Sequence, residues 1–142
     1  MFLLVRWQIQ PTRENYNRLP EHVRPRPIQL YRPHPAWTDH LPFPGMREML
    51  IHSYDPNAAE QYPFENFFIP FTTTLSVNWP YEEMDTLLQL PDSDEFIINP
   101  VFERHIRRVE NWTLGEAFHE TLPGLTGTYT LKKDRVGGMA EP

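Results

Sequence analysis

Apolar residues in this chain recur mostly at helical spacing, in short runs that prolines keep apart. Eight of the sixteen prolines fall in the first 44 residues. Proline fixes φ, removes a backbone donor and pushes the residue before it out of the helical region. Residues 19–42 are therefore expected to be mostly extended, laid over a surface, in a proline-rich arm that spans residues 1–43. Within the arm the pattern supports one short helix around Thr12–Arg18, with Thr12 as its cap.

The pattern changes at Pro44, a residue suited to a first helical turn, where the missing N–H costs nothing. Met46, Met49 and Leu50 then recur at helical spacing, with Arg47 and Glu48 on the opposite side. Phe64, Phe67, Phe68, Phe71 and Leu75 repeat the period, and Pro70 predicts a kink or a restart among them. A strand through Thr72–Val77 competes with that helix, because three threonines and a valine favour it. The clearest helix is EFIINPVFERHIRRVENW. Asn99 caps it, Pro100 opens it, Phe102, Ile106 and Val109 form its buried stripe, and Glu103 and Arg107 pair at i,i+4.

Thr113-Leu114-Gly115-Glu116 has the form of a capping box, with Leu114, Ala117, Phe118 and Leu122 on one face behind it and Pro123-Gly124 as the stop. Residues 55–63 and 91–95 carry turn residues. The expected fold is all-α, a small bundle of short helices with irregular connections. Residues 1–125 form one domain, the arm followed by a helical core over 44–125, and residues 126–142 form a flexible tail.

Composition supports a folded body. The chain has 142 residues, 39% of them hydrophobic, with nine Phe, four Trp and six Tyr. That length suits one domain with a real core, and disordered chains lack such aromatics. A mean hydropathy of -0.57 fits the looped, proline-rich parts. With no cysteine, a disulfide framework and a thiolate zinc site are excluded. The opening MFLLVRW is too short an apolar run for a signal peptide, and no stretch approaches the roughly 20 apolar residues of a membrane span. Asn111-Trp112-Thr113 matches a glycosylation sequon by chance on this reading, and an intracellular soluble protein is expected.

Charge is unevenly spread. Residues 1–32 carry six Arg and two Glu, a net +4, and the remainder carries -10, which together give the overall -6. An acidic body repels phosphate backbones, and the scattered arginines read as solvated, so no direct nucleic-acid contact is expected.

No constellation with a catalytic mechanism stands out. There is no activated-nucleophile motif, no phosphate-cradling glycine run and no H-E-x-x-H. His34, Asp39 and His40 are three candidate ligands within seven residues, but nothing enforces a metal's geometry on them. The structural alternative has His34 and Asp39 bonded to nearby backbone and Trp37 filling a groove. Glu82, Glu83 and Asp85, and again Asp92, Asp94 and Glu95, read as solvated acidic faces. Trp7, Trp37, Trp79 and Trp112 each sit beside a turn or helix boundary, where aromatics pin loops or build interaction surfaces. No catalytic residue, cofactor or metal site is assigned. The candidate interaction surface is His34, Trp37, Asp39, Trp79, Tyr81 and Trp112.

Three motifs in combination carry a resemblance: the proline-framed HPAW…D…PFP…R within residues 32–51, then NWPY, then NPVFERH…NWTLG. Over roughly residues 5–125 the chain resembles a domain of unknown function found C-terminal to the basic-leucine-zipper region of fungal bZIP-type transcription regulators. The resemblance implies a nuclear protein of transcription regulation and no catalytic residues. It also exposes a departure, since no stretch here reads as a continuous basic helix leading into heptads. Either the gene begins upstream of Met1, or this is a stand-alone copy of the domain.

The expected function is a non-enzymatic regulatory module that binds a protein partner of the transcription machinery, with no membrane contact. The alternative is a small-molecule sensor with an apolar pocket between its helices. An enzyme using His34 and Asp39, or the acidic loops, comes third. The Arg32–Pro44 stretch is read as a rigid entry strap, held extended by its prolines and anchored by Trp37 and Phe43, that doubles as part of a docking surface.

Overall fold

The computed structural model describes residues 2–132. Over them the chain is mostly helical. The first elements are α1 (Phe2–Ile9), α2 (Arg13–Arg18), a 3-10 turn at Glu21–Val23, α3 (Pro27–Tyr31) and a 3-10 turn at Ala36–His40. Then come α4 (Pro44–Ser53) and α5 (Phe64–Thr74). A hairpin, β1 (Leu87–Gln89) and β2 (Phe96–Ile98), precedes α6 (Pro100–Ile106). Finally β3 (Thr113–Leu114), α7 (Glu116–Thr121) and β4 (Thr130–Leu131) close the fold. The all-α expectation is thus corrected by two small strand pairs: β1–β2 antiparallel, β3–β4 parallel.

The extended arm is also corrected. Its prolines space short helical turns instead of holding a strand. Pro27 and Pro44 occupy first-turn positions of α3 and α4, while Pro20 and Pro35 immediately precede the two 3-10 turns. A missing N–H costs nothing at these places, so a proline-rich segment can be built of helix starts. The predicted Thr12 cap is present, its hydroxyl accepting from the Asn15 N–H at 3.2 Å.

What holds the amino-terminal turns together is Arg47. The α4 period placed it on the polar side with Met49 on the buried side; instead Arg47 is 0% exposed and Met49 is exposed. Its guanidinium donates to the carbonyls of His22 (3.0 Å), Arg24 (2.9 Å) and Leu41, and to Gln29 Oε1 (2.8 Å). Gln29 passes the network on, donating to Asp39 Oδ1 at 3.0 Å. A planar fork of five donors can gather carbonyls from several turns that a hydrophobic side chain could not satisfy. Burial lowers the Arg47 pKa to about 10, chiefly by desolvation, with Arg26 adding repulsion and Asp39 and Glu48 opposing. The group therefore remains charged at neutral pH.

The apolar core lies against the neighbouring face of α4, through Met46 and Leu50. Leu41, Phe43, Met46, Leu50, Phe67, Leu114, Phe118, Leu122 and Leu125 are buried together. Phe67 stacks on Phe71 at 5.0 Å and meets Phe118 edge-on at 5.5 Å. The competing strand at Thr72–Val77 does not form, since α5 runs through Pro70 to Thr74. Thr72, Thr73 and Thr74 bond their hydroxyls back to the carbonyls of Phe68, Ile69 and Pro70.

The predicted capping box at Thr113 is not formed. Gly115 precedes α7 without a side-chain cap, and Thr113 is taken into β3, bridging Ser76 on one side and Thr130 on the other. Ala117 is exposed, while Leu114, Phe118 and Leu122 are buried as expected. The segment read as the start of a tail packs here. Tyr129 meets Phe118 edge-on at 5.1 Å, and the Lys132 N–H donates to the Leu114 carbonyl at 2.8 Å. The rest of the predicted tail, 133–142, lies outside the described residues.

Candidate interaction surface

The hairpin grows from a sequence read as the start of a helix. Phe96-Ile97-Ile98 is instead a strand, because aromatic and β-branched side chains fit a pleated edge and Pro100 restarts the chain as α6. Pairing runs Leu87↔Ile98, Leu88↔Ile97 and Gln89↔Phe96. The turn at 91–95, predicted from its residues, closes with the Leu90 N–H on the Glu95 carbonyl at 2.9 Å. Asp92 sits in the left-handed region at φ 60, which a short polar side chain tolerates. Ser93 Oγ accepts from the Glu95 N–H at 3.0 Å.

The hairpin's base is tied down by aromatic and amide contacts. Trp79 lies 5.0 Å from Tyr81, 4.9 Å from Phe102 and 5.4 Å from His105, and its indole N–H donates to the Glu82 carbonyl at 3.1 Å. Asn99 caps α6 as predicted, accepting from the Val101 N–H at 2.9 Å, while its amide donates to the Asp85 carbonyl at 2.8 Å. The predicted Glu103–Arg107 pair is formed at 3.2 Å. The expected buried stripe of α6 is only half-buried.

Beyond that base every residue of both strands is exposed. Leu87 and Ile98 share one face with Phe96, and Leu88 and Ile97 share the other. Phe96 is 61% exposed, and Met84, just before β1, is 81% exposed. Strands apolar on both faces belong in sheet interiors, and a lone hairpin is marginal in water. An apolar patch of this kind marks an interaction site.

Charge frames the patch. Glu82, Glu83 and Asp85 stand before β1, and Asp92, Asp94 and Glu95 stand in the turn, all exposed as the sequence suggested. No Lys or Arg occurs anywhere from Glu48 to Glu103. The surface is therefore apolar in the middle and acidic at both ends.

The six residues first proposed as a surface are divided among several settings. Trp79 and Tyr81 stand at the hairpin's base. Trp37 packs on Phe64 (5.6 Å) and Phe67 (4.9 Å) beside the core. His34 places Nδ1 2.7 Å from the Arg32 carbonyl and Nε2 2.7 Å from Asp39 Oδ1. Trp112 donates to the Ile106 carbonyl at 2.8 Å and packs on His22 at 5.5 Å.

His22 is buried with both ring nitrogens unpartnered. Desolvation lowers its pKa, outweighing the nearby Arg107 carbonyl, which lies outside hydrogen-bonding geometry. The cavity beside Trp37, Leu50 and Tyr62 holds only about 20 Å³, room for one water.

Two features escaped the sequence reading, one of scaffold and one of surface. Arg47 was hidden by a helical period that placed it outside. The hairpin was hidden by Asn99-Pro100, a strong helix start that drew the preceding strand into the helix. The long stretch without Lys or Arg was the available signal for the acidic surface.

No curated protein and no solved structure matches the chain. One family model does, described as a domain of unknown function (DUF3425), and it matches residues 2–133. A match over nearly all of its length makes the chain a member of the DUF3425 family.

Proposed function

We propose that this domain is a non-enzymatic interaction module of a fungal bZIP-type transcription regulator, acting in the nucleus on a protein of the transcription machinery. The observation that carries the reading is the β1–β2 hairpin, apolar on both faces, exposed throughout and framed by carboxylates. The resemblance of the proline-framed, NWPY and NPVFERH motifs to such regulators supplies the setting. The acidic surface opposes phosphate, so the domain itself takes no direct part in gripping DNA.

The test is a tethering experiment. The chain is fused to an unrelated DNA-binding domain and reporter output is measured, beside a Leu88→Ser/Ile97→Ser variant. The wild-type fusion is expected to change output at least severalfold, and the variant to lose the change at equal protein level. A wild-type fusion with no effect on the reporter overturns the reading.

A further inference from the structure

We infer that the open edge of β2 receives a basic, strand-forming segment of a partner protein, which adds to the hairpin as a third strand. This rests on the reading of the hairpin as a protein-docking surface and names the partner's chemistry.

Backbone geometry supplies the first argument. The Leu90 N–H to Glu95 carbonyl and Asn99 N–H to Thr86 carbonyl bonds, both 2.9 Å, mark 90/95 and 86/99 as hydrogen-bonded pairs. Alternation along an antiparallel ladder makes Leu88/Ile97 the next such pair and leaves Leu87/Ile98 and Gln89/Phe96 facing outward. The N–H and C=O groups of Phe96 and Ile98 therefore point away from β1. Among the described residues, no backbone hydrogen bond joins either to a segment outside the hairpin. Such an edge is a template for another strand.

Side chains supply the second. A single strand laid along β2 would bring apolar residues beside Phe96 and Ile98 on one face and Ile97 on the other. Phe96 and Ile98 are more exposed than Leu87 on the opposite edge, which places the docking on β2.

Charge identifies the occupant. Six carboxylates between Glu82 and Glu95, with no Lys or Arg among them, attract a segment that carries Lys or Arg at its ends. A second copy of this chain is the poorer occupant, because edge-to-edge pairing would set one acidic rim against another.

The probe is a ten-residue peptide with two Lys at each end and Val between them, labelled and titrated by fluorescence anisotropy against the full chain. Its controls are the matching Val/Glu peptide and a Val/Lys peptide with alternate backbone amides N-methylated. Expected is saturable binding that weakens at least tenfold between about 50 mM and about 500 mM salt. Neither control should bind. Phe96→Pro, which removes an outward N–H, should abolish binding, Gln89→Pro on the other edge should not, and Phe96→Ala should weaken it only in part. Equal binding of the glutamate or N-methylated peptide overturns the proposal, as does a wild-type chain that binds none of them. Sedimentation that shows a dimer broken by Phe96→Pro overturns it in favour of self-association. If the peptide fails while reporter output still depends on Leu88 and Ile97, the strand mode falls and the regulatory reading stands. A silent reporter beside a bound peptide gives the reverse.

Discussion

Two regions of this molecule break the same rule in opposite directions. Around Arg47 a full charge is buried and four protein acceptors meet its guanidinium. In the β1–β2 hairpin, Leu, Ile and Phe side chains are exposed on both sides of a ribbon that, among the described residues, has no layer beneath it. The first violation is resolved inside the chain, because four acceptors drawn from separate turns converge on one planar fork. The second is unresolved inside the chain, and that is what separates a structural exception from a functional one. A buried charge gathered by four acceptors of its own chain is a piece of scaffold. An exposed apolar strand is an invitation.

The contrast breaks most visibly at Arg47. Arg47→Met keeps much of the volume but leaves the carbonyls of His22, Arg24 and Leu41 without their donor, while the Gln29 amide oxygen keeps only the Arg26 N–H. Each buried acceptor left unpaired costs about 1–3 kcal/mol, so a loss of at least about 3 kcal/mol is expected in urea unfolding, with Arg47→Lys intermediate because an ammonium cannot fork. A Met variant as stable as wild type would show that the fork adds nothing net. Phe118→Ala removes a fully buried ring from the core and should cost a comparable ~3–5 kcal/mol.

His22 gives a smaller effect, read through pH. Its folded-state pKa lies below the unfolded value of 6.5, so below that value the unfolded chain takes up a proton that the folded chain resists. The stability involved is fully present above about pH 6.5 and is lost as pH falls toward the folded pKa. Unfolding midpoints should therefore drop between pH 7 and pH 5, and His22→Phe, which cannot titrate, should flatten part of the drop. An unchanged slope would show that the ring titrates alike in the folded and unfolded chain, without the lowering that burial imposes.

Much of the helical layout was legible. Thr12, Pro44, Asn99 and Pro100 announce helix starts through local chemistry, and the structure uses all four as expected. The core residues of α4, α5 and α7 followed from period only in part: Met49, Phe64, Phe68 and Ala117 are exposed, and Arg47 faces in. What could not be read locally was anything decided by distant partners. Arg47 is buried because carbonyls 6 to 25 residues away meet there. Thr113 abandons its capping box because Ser76 and Thr130 claim its backbone. Prolines were read as rods when they were helix starts, since the local signal of proline is the same for both until the next residues find their packing.

The hairpin should yield the smallest stability effect. Phe96→Ala is the same truncation as Phe118→Ala, made where the ring already faces water. Little burial is lost and no cavity opens, so the change in unfolding free energy should stay within about 0.5 kcal/mol of zero. Leu88→Ser/Ile97→Ser should behave alike or even raise solubility, because it removes apolar surface from solvent. If either variant instead costs as much as a core truncation, the hairpin is held by packing against its own domain, and its apolar faces need no partner. If stability is untouched while reporter output falls, those side chains are retained for something outside the fold. Residues that contribute nothing to folding and are apolar on an acidic surface are most simply explained by what docks there.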